Sequence, residues 1–197
     1  MADGTRNRTP WLLASALVVL GLIGWIASVA LALEKFVVLA DPDAALSCDI
    51  SVLVQCGKNL GSWQGAVFGF PNPVLGVAGF VAPIVVGAGL LAGARFARWF
   101  WIAFQLGLTG ALVFVIWLIS QSIYVLGTLC PWCMVVWSAT IPMFISTLVW
   151  NLSSGHLGGG RRLGRALSPY VVPLTIAAYL VIALLAQLRL DVIGSLS

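Results

Sequence analysis

Five long apolar runs alternate with short stretches that hold all the charged residues of the chain. The runs cover residues 11–33, 74–94, 99–119, 129–150 and 169–188. Each is long enough to cross about 30 Å of hydrocarbon as a helix, which rises about 1.5 Å per residue. Unpaired backbone groups are costly in lipid, and the alternating strands of a membrane barrel are absent from the pattern. The pattern therefore predicts an all-α integral membrane protein with five transmembrane helices.

The composition leads to the same class of protein. Of the 197 residues, 61% are hydrophobic and only 8% are charged, whereas a globular protein carries roughly 25% charged residues. So few charges cannot cover a water-facing surface, which excludes a soluble domain, a disordered chain, a coiled coil and a collagen-like fibre. The net charge of +4 does not indicate nucleic-acid binding, because the basic residues flank the apolar runs.

The distribution of basic residues predicts the orientation of the chain through the positive-inside rule. With the N-terminus in the cytoplasm, seven arginines lie on cytoplasmic segments and three basic residues lie outside. The predicted segments are a cytoplasmic tail (1–10), an extracytoplasmic loop (34–73), a cytoplasmic linker (151–168), the fifth transmembrane helix (169–188) and an extracytoplasmic tail (189–197).

In this orientation all four cysteines reach the outer face of the membrane. Cys48 and Cys56 lie in the loop between the first two spans, and Cys130 and Cys133 open the fourth. That compartment permits disulfides, so an even number of cysteines indicates disulfide or redox chemistry. A four-thiolate zinc site is disfavoured, because the spacing of Cys48 and Cys56 is too long. The loop pair is therefore either a permanent staple or half of a two-dithiol relay.

The Cys-Pro-Trp-Cys motif at residues 130–133 lies where a polar loop becomes a membrane helix. Proline is favoured in a first helical turn. Free backbone amides and the positive end of the helix dipole lower the pKa of a thiol placed there, and the thiolate is the reactive species. A spacing of three puts both sulfurs on one face, with Cys133 about one turn deeper in the membrane than Cys130.

Two further features occur in a fixed order with these cysteines. Ser62 follows Cys56 by six residues, and Asn72 stands between two prolines at the entry to the second span. The ordered set resembles the bacterial homologues of vitamin K epoxide reductase, membrane thiol oxidoreductases that couple disulfide formation to quinone reduction. The resemblance implies a four-helix bundle around a quinone pocket, formed by residues 11–150, with the fifth helix added. It also implies location in the bacterial inner membrane.

The resemblance implies a role for each cysteine. Cys133 is the thiol that faces the quinone, and Cys130 closes a disulfide with it as the quinol leaves. Cys56 then reduces Cys130, and Cys48 exchanges with a soluble partner. Electrons run from the partner through the loop pair and then through the Cys-Pro-Trp-Cys motif to the quinone.

Three other residues are implied in cofactor binding. Asn72 supplies a side-chain donor for a quinone carbonyl that gains negative charge. Ser62 holds the loop against the bundle or caps a short helix. Trp137 takes the place of a tyrosine that vertebrate members use to bind their substrate, which favours a simple quinone over an epoxide.

The resemblance leaves the partner outside this chain. Many bacterial members carry a fused thioredoxin-like domain, and the nine residues after Leu188 leave no room for one. We therefore expect a separate extracytoplasmic thioredoxin-fold partner that is DsbA-like in role. Arginine outnumbers lysine eight to two, which hints at a GC-rich bacterial genome and favours menaquinone over ubiquinone. The alternatives are a DsbB-like quinone reductase of unrelated fold and a non-enzymatic membrane protein with structural disulfides.

Overall fold

The computed structural model describes residues 10–41, 44–191 and 194. In this part of the chain, five helical segments are long and apolar enough to cross a membrane, which confirms the five predicted spans. They are Trp11–Ala40, Asn72–Leu91, Arg98–Leu126, Pro131–Ser154 and Arg161–Leu190. No β-strand forms among the same residues, so the all-α fold is also confirmed. The predicted tails at residues 1–10 and 189–197 lie mostly outside the described residues.

The described chain forms eight α-helices with three short 3₁₀ or π segments. They are α1 (Trp11–Ala40), α2 (Gly57–Gly61), a 3₁₀ turn (Trp63–Ala66), α3 (Asn72–Gly79), α4 (Val81–Leu91), α5 (Arg98–Ser120), a π-helix (Gln121–Leu126), α6 (Pro131–Ser154), α7 (Arg161–Leu167), a 3₁₀ turn (Ser168–Tyr170) and α8 (Val171–Leu190). The second span consists of α3 and α4, and α5 with its π-helical continuation forms the third.

Helix α1 is the centre of the bundle. It packs against α3 and α4 on one side and against α6 on another, while α5 packs against α6. The backbone of α5 lies close to α6 rather than to α3 or α4. The first four spans therefore enclose a space that is bounded by the second and third spans and by α6.

Helix α1 ends at Ala40, seven residues after the predicted end of the first span at residue 33. The added turns carry two charged residues that bond to the cysteine loop, defined as residues 44–71. Glu34 accepts hydrogen bonds from the backbone amide and the hydroxyl of Ser47. The buried Lys35 donates from Nζ to the backbone oxygen of Leu60 at 2.6 Å. The hydropathy pattern placed the end of the first span before Glu34 and Lys35. The helix continues past them because both charged side chains hydrogen-bond to the cysteine loop.

The predicted linker at residues 151–168 contains the end of α6, the short helix α7 and the start of the 3₁₀ turn that precedes α8. Helix α6 continues to Ser154, and the fifth span already begins at Arg161. Gly155 ends α6 in the left-handed conformation, with φ of 79°, as is common at helix C-termini because glycine adopts it without steric cost. Residues 155–160 therefore form the turn that leads from α6 into α7.

Gly87 permits the close packing of α4 on α1. A Cβ atom at this position lies 2.6 Å from the backbone oxygen of Ala14 and 3.0 Å from the backbone nitrogen of Val18. We expect Gly87→Ala to lower the free energy of unfolding by about 1–3 kcal/mol, because backbone atoms must move apart to admit the methyl group. Thermal unfolding of the detergent-solubilised protein measures this loss.

Gly110→Ala is the matched control for this prediction. A Cβ atom at Gly110 meets no neighbouring atom within 4 Å, so this variant keeps or slightly exceeds the wild-type stability. An equal loss of stability in both variants would contradict the packing role of Gly87.

Candidate active site

The short helix α2, which follows Cys56, is held at both ends. At its start, Oδ1 of Asp49 accepts hydrogen bonds from the backbone amides of Cys56 at 2.7 Å and Gly57 at 3.1 Å. These amides are among those left free at a helix N-terminus, where a carboxylate is a favourable partner. At its end, the ammonium group of Lys35 binds the backbone oxygen of Leu60. Two charged side chains therefore fix the position of Cys56.

A backbone pairing joins the cysteine loop to the segment before α6. The amide of Leu129 donates to the oxygen of Leu53 at 2.7 Å, and the amide of Gln55 donates to the oxygen of Leu129 at 3.0 Å. Val54 and Leu129 thereby form an isolated parallel bridge. Because Gln55 and Leu129 directly precede two of the cysteines, this register brings Cys56 alongside Cys130.

The four cysteines adopt two different redox states in this structure. Cys48 and Cys56 form a disulfide, while Cys130 and Cys133 are free thiols. The sulfur of Cys130 lies 3.1 Å from the sulfur of Cys56, and both residues are fully buried. Exchange proceeds by attack of a thiolate on one sulfur of a disulfide. The spacing of the cysteines left the loop pair as a staple or half of a relay, and the structure places a free sulfur at the distance that exchange requires.

Cys130 lies at the N-terminus of α6 in a setting that favours its thiolate. Pro131 occupies the first helical position, and the sulfur of Cys130 accepts a hydrogen bond from the backbone amide of Cys133 at 3.4 Å. The Cys133 side chain, followed by the backbone amides of Cys133 and Trp132, lowers the pKa of Cys130, although burial and the Asp49 carboxylate oppose this shift. Hydrogen bonds to the anion thus outweigh desolvation.

Cys133 faces a different environment, one turn further along α6. It lines a cavity of about 620 Å³ whose walls come from α1, the second and third spans, α6 and the cysteine loop. The walls are mostly apolar, with a few polar side chains at the loop end. A volume in the range of about 300–1,000 Å³ with sparse polar groups is typical of a small-molecule site. Cys130 does not line this cavity and instead contacts Cys56. The two thiols of the motif therefore face different surroundings.

The three other predicted site residues occupy different positions. Asn72 is the first residue of α3 and lines the cavity. Its Nδ2 donates a hydrogen bond to the backbone oxygen of Gln64 at 2.6 Å, and its Oδ1 accepts one from the backbone amide of Val67 at 3.1 Å. Trp137 is buried and also lines the cavity. Ser62 lies outside the lining and donates to the oxygen of Asn59 at 2.8 Å. A part in cofactor binding stays a prediction for all three residues.

Two glutamines in the cavity wall were not predicted. Gln64 is buried, and its Nε2 donates to Oε1 of Gln121 at 3.4 Å. Gln121 starts the π-helix that follows α5, and π-helical turns are frequent at functional sites. The signal in the sequence was that polar residues, Ser120 and Gln121, follow the third apolar run, whose predicted end is at about residue 119. The proximity of Gln121 to Gln64 depends on tertiary packing.

One comparison with known proteins identifies a family for most of this chain. The model of the vitamin K epoxide reductase family matches residues 15–148, about two thirds of the chain. The matched region contains all four cysteines and ends within α6, before the fifth span. No curated protein matches the chain.

A variant that retains only Cys56 and Cys130 tests their sulfur contact. We expect Cys48→Ala combined with Cys133→Ala to form a Cys56–Cys130 disulfide almost completely under mild oxidation, because the two sulfurs already touch. Mass spectrometry of the unreduced protein after alkylation measures the crosslinked fraction. The complementary variant, with Cys56→Ala and Cys130→Ala, retains two cysteines without such a contact and forms far less intramolecular disulfide. Similar crosslinking in both variants would argue against the observed pairing.

The hydrogen bond from Cys133 predicts a pH effect on Cys130. In a background of Cys48→Ala and Cys56→Ala, Cys133→Ser keeps a donor while Cys133→Ala removes it. Since a donor to the thiolate lowers the pKa of Cys130, its loss raises that pKa, and alkylation of Cys130 begins at higher pH. The pH dependence of the iodoacetamide reaction rate compares the two variants. Coincident profiles would show that the Cys133 side chain does not stabilise the thiolate.

Proposed function

Because the chain belongs to the vitamin K epoxide reductase family, we propose that this membrane oxidoreductase passes electrons from a dithiol protein to a membrane quinone. One observation carries the proposal. The Cys130 sulfur contacts Cys56 of the loop disulfide at 3.1 Å, while Cys133 of the same motif lines a largely apolar cavity. Such an arrangement supports a three-step relay from a protein dithiol through two cysteine pairs to a lipid-soluble acceptor.

The first step oxidises a separate, DsbA-like thioredoxin-fold partner. A partner thiolate attacks the sulfur of Cys48, the Cys48–Cys56 bond breaks, and Cys56 leaves as a thiolate. The second partner thiol then displaces Cys48, so the partner departs with a disulfide and the loop holds two thiols. Both loop cysteines are buried in the present conformation, so the cysteine loop must open to admit the partner.

The second step moves the electron pair to the Cys-Pro-Trp-Cys motif. The Cys56 thiolate attacks Cys130 in a Cys130–Cys133 disulfide, and Cys133 leaves as a thiolate. Cys48 then displaces Cys130 and restores the Cys48–Cys56 disulfide. The redox state of this structure, an oxidised loop with a reduced motif, is the product of this step.

The third step reduces the quinone substrate in the cavity. Cys133 delivers the electron pair, Cys130 closes the disulfide, and two protons complete the quinol. Overall, a partner dithiol and a quinone become a partner disulfide and a quinol. Asn72 retains a second amide hydrogen beside its bond to Gln64, which can stabilise a carbonyl as it gains negative charge. Trp137 supplies an apolar wall beside Cys133.

The proposal extends to the orientation of the protein and the identity of its quinone. Seven arginines on the segments predicted to be cytoplasmic favour a cytoplasmic N-terminus and an outward-facing cysteine loop in the bacterial inner membrane. Menaquinone is the preferred substrate and ubiquinone the second choice.

Family membership removes the DsbB-like alternative of unrelated fold. The other alternative, a non-enzymatic protein with purely structural disulfides, gives no reason for the free Cys130 thiol to contact the Cys48–Cys56 disulfide.

Quinone reduction by the purified protein tests the proposed function. With a reduced thioredoxin-fold protein as donor, we expect wild type to consume a short-chain naphthoquinone, which its absorbance follows. Cys133→Ala loses turnover, because no thiol then faces the cavity. Cys48→Ala also loses turnover, because no second loop thiol can release Cys130 from its mixed disulfide with Cys56. The Cys56–Cys130 disulfide therefore accumulates.

Met134→Ala is the matched control on α6. Met134 is exposed on the outer face of the helix next to Cys133 and does not line the cavity, so this variant keeps wild-type turnover. If wild type with accessible cysteines consumes neither a naphthoquinone nor a benzoquinone, the proposed function is wrong.

A further inference from the structure

The fifth span contacts the helix that carries the motif. Helix α8 packs against α6 and against the π-helix after α5. Its Ile182, Ala186 and Leu190 belong to one hydrophobic cluster with Trp137 and Cys133. The family match ends at residue 148, so the residues of α8 that support the cavity wall lie outside the matched region.

Helix α6 contains an interior proline, Pro142. Proline has no backbone N–H, so the carbonyl of Ser138, four residues earlier, lacks its normal helical donor. An unpaired carbonyl is costly in hydrocarbon, and a helix can bend where this bond is missing. The part of α6 before Pro142 carries both Cys133 and Trp137, so a bend there moves the cavity wall.

Helix α8 supplies a donor to this carbonyl. The hydroxyl of Tyr179 donates to the backbone oxygen of Ser138 at 2.6 Å. Ser138 follows Trp137 directly in the sequence and faces α8 rather than the cavity. The tyrosine hydroxyl thus replaces the amide hydrogen that Pro142 lacks.

We propose that Tyr179 is a positioning residue for the quinone site, because its bond to Ser138 holds the first half of α6, with Cys133 and Trp137, in place at the proline break. This inference rests on the proposed function. It assigns the fifth span a role in substrate binding, and Tyr179 acts through α6 without touching the substrate.

A double-mutant cycle separates this role from general stabilisation. Pro142→Ala restores the missing amide donor, so the Tyr179 hydroxyl becomes dispensable. We expect Tyr179→Phe alone to raise the KM for quinone about fivefold, the effect of one neutral hydrogen bond, with a smaller change in kcat. In the Pro142→Ala background, the same substitution changes KM less than about twofold. Tyr170→Phe, at an exposed tyrosine of the same span, is the control and leaves KM unchanged.

A second measurement does not depend on quinone turnover. In a background of Cys48→Ala, Cys56→Ala and Cys130→Ala, a membrane-soluble maleimide labels Cys133 at a rate that reports its position. We expect Tyr179→Phe to change this rate only when Pro142 is present. If wild type reduces no quinone, the proposed function fails, while the labelling cycle still decides whether the bond positions Cys133.

Two outcomes would overturn the inference. Equal effects of Tyr179→Phe in both backgrounds would mean that its hydroxyl does not substitute for the amide that Pro142 lacks. Unchanged KM and labelling rate in Tyr179→Phe would mean that the bond does not position the site. Melting temperatures of the four proteins identify any variant whose loss of activity reflects unfolding.

Discussion

The contact between Cys56 and Cys130 is the constraint on which the rest of the site depends. Their sulfurs lie 3.1 Å apart because the backbone of residues 53–55 pairs with Leu129, directly ahead of Cys130. Exchange requires a thiolate in contact with a disulfide sulfur, and small displacements of reacting atoms are costly. Asp49 and Lys35 hold the two ends of α2 so that the loop half of this contact stays in place. Both ties are charge-assisted, and that of Lys35 is buried from competing water.

A single helical turn separates the two environments of the motif. Cys130 precedes α6 and is enclosed by the cysteine loop, whereas Cys133 lies in the first turn and lines the cavity. Because a helix advances about 5.4 Å per turn, the proposed transfer from a protein sulfur to a quinone needs no moving domain. The movement that the proposed relay requires is at the loop, where Cys48 is covered in the present conformation.

The apolar bundle restricts where polar groups can be placed. The Asn72 side chain accepts a hydrogen bond from the amide of Val67 and donates one to the backbone oxygen of Gln64. These bonds satisfy irregular backbone next to the cavity that would otherwise be costly in a membrane. Deeper in the bundle, Pro142 removes a helical hydrogen bond, and Tyr179 of the fifth span supplies one to Ser138. In both places a side chain satisfies backbone groups next to residues that line the cavity.

The sequence by itself determined the all-α class, the five spans and the helix start at the Cys-Pro-Trp-Cys motif. Hydrophobic length and a proline after Cys130 act locally, so no tertiary contact is needed to predict them. It could not show that α1 continues through Lys35, because a buried lysine is stable only with the partner that Leu60 provides. Spacing also left open which loop cysteine meets Cys130, and it did not reveal the pair of Gln64 and Gln121. Only the tertiary structure decided these, because each depends on a contact between residues distant in the sequence.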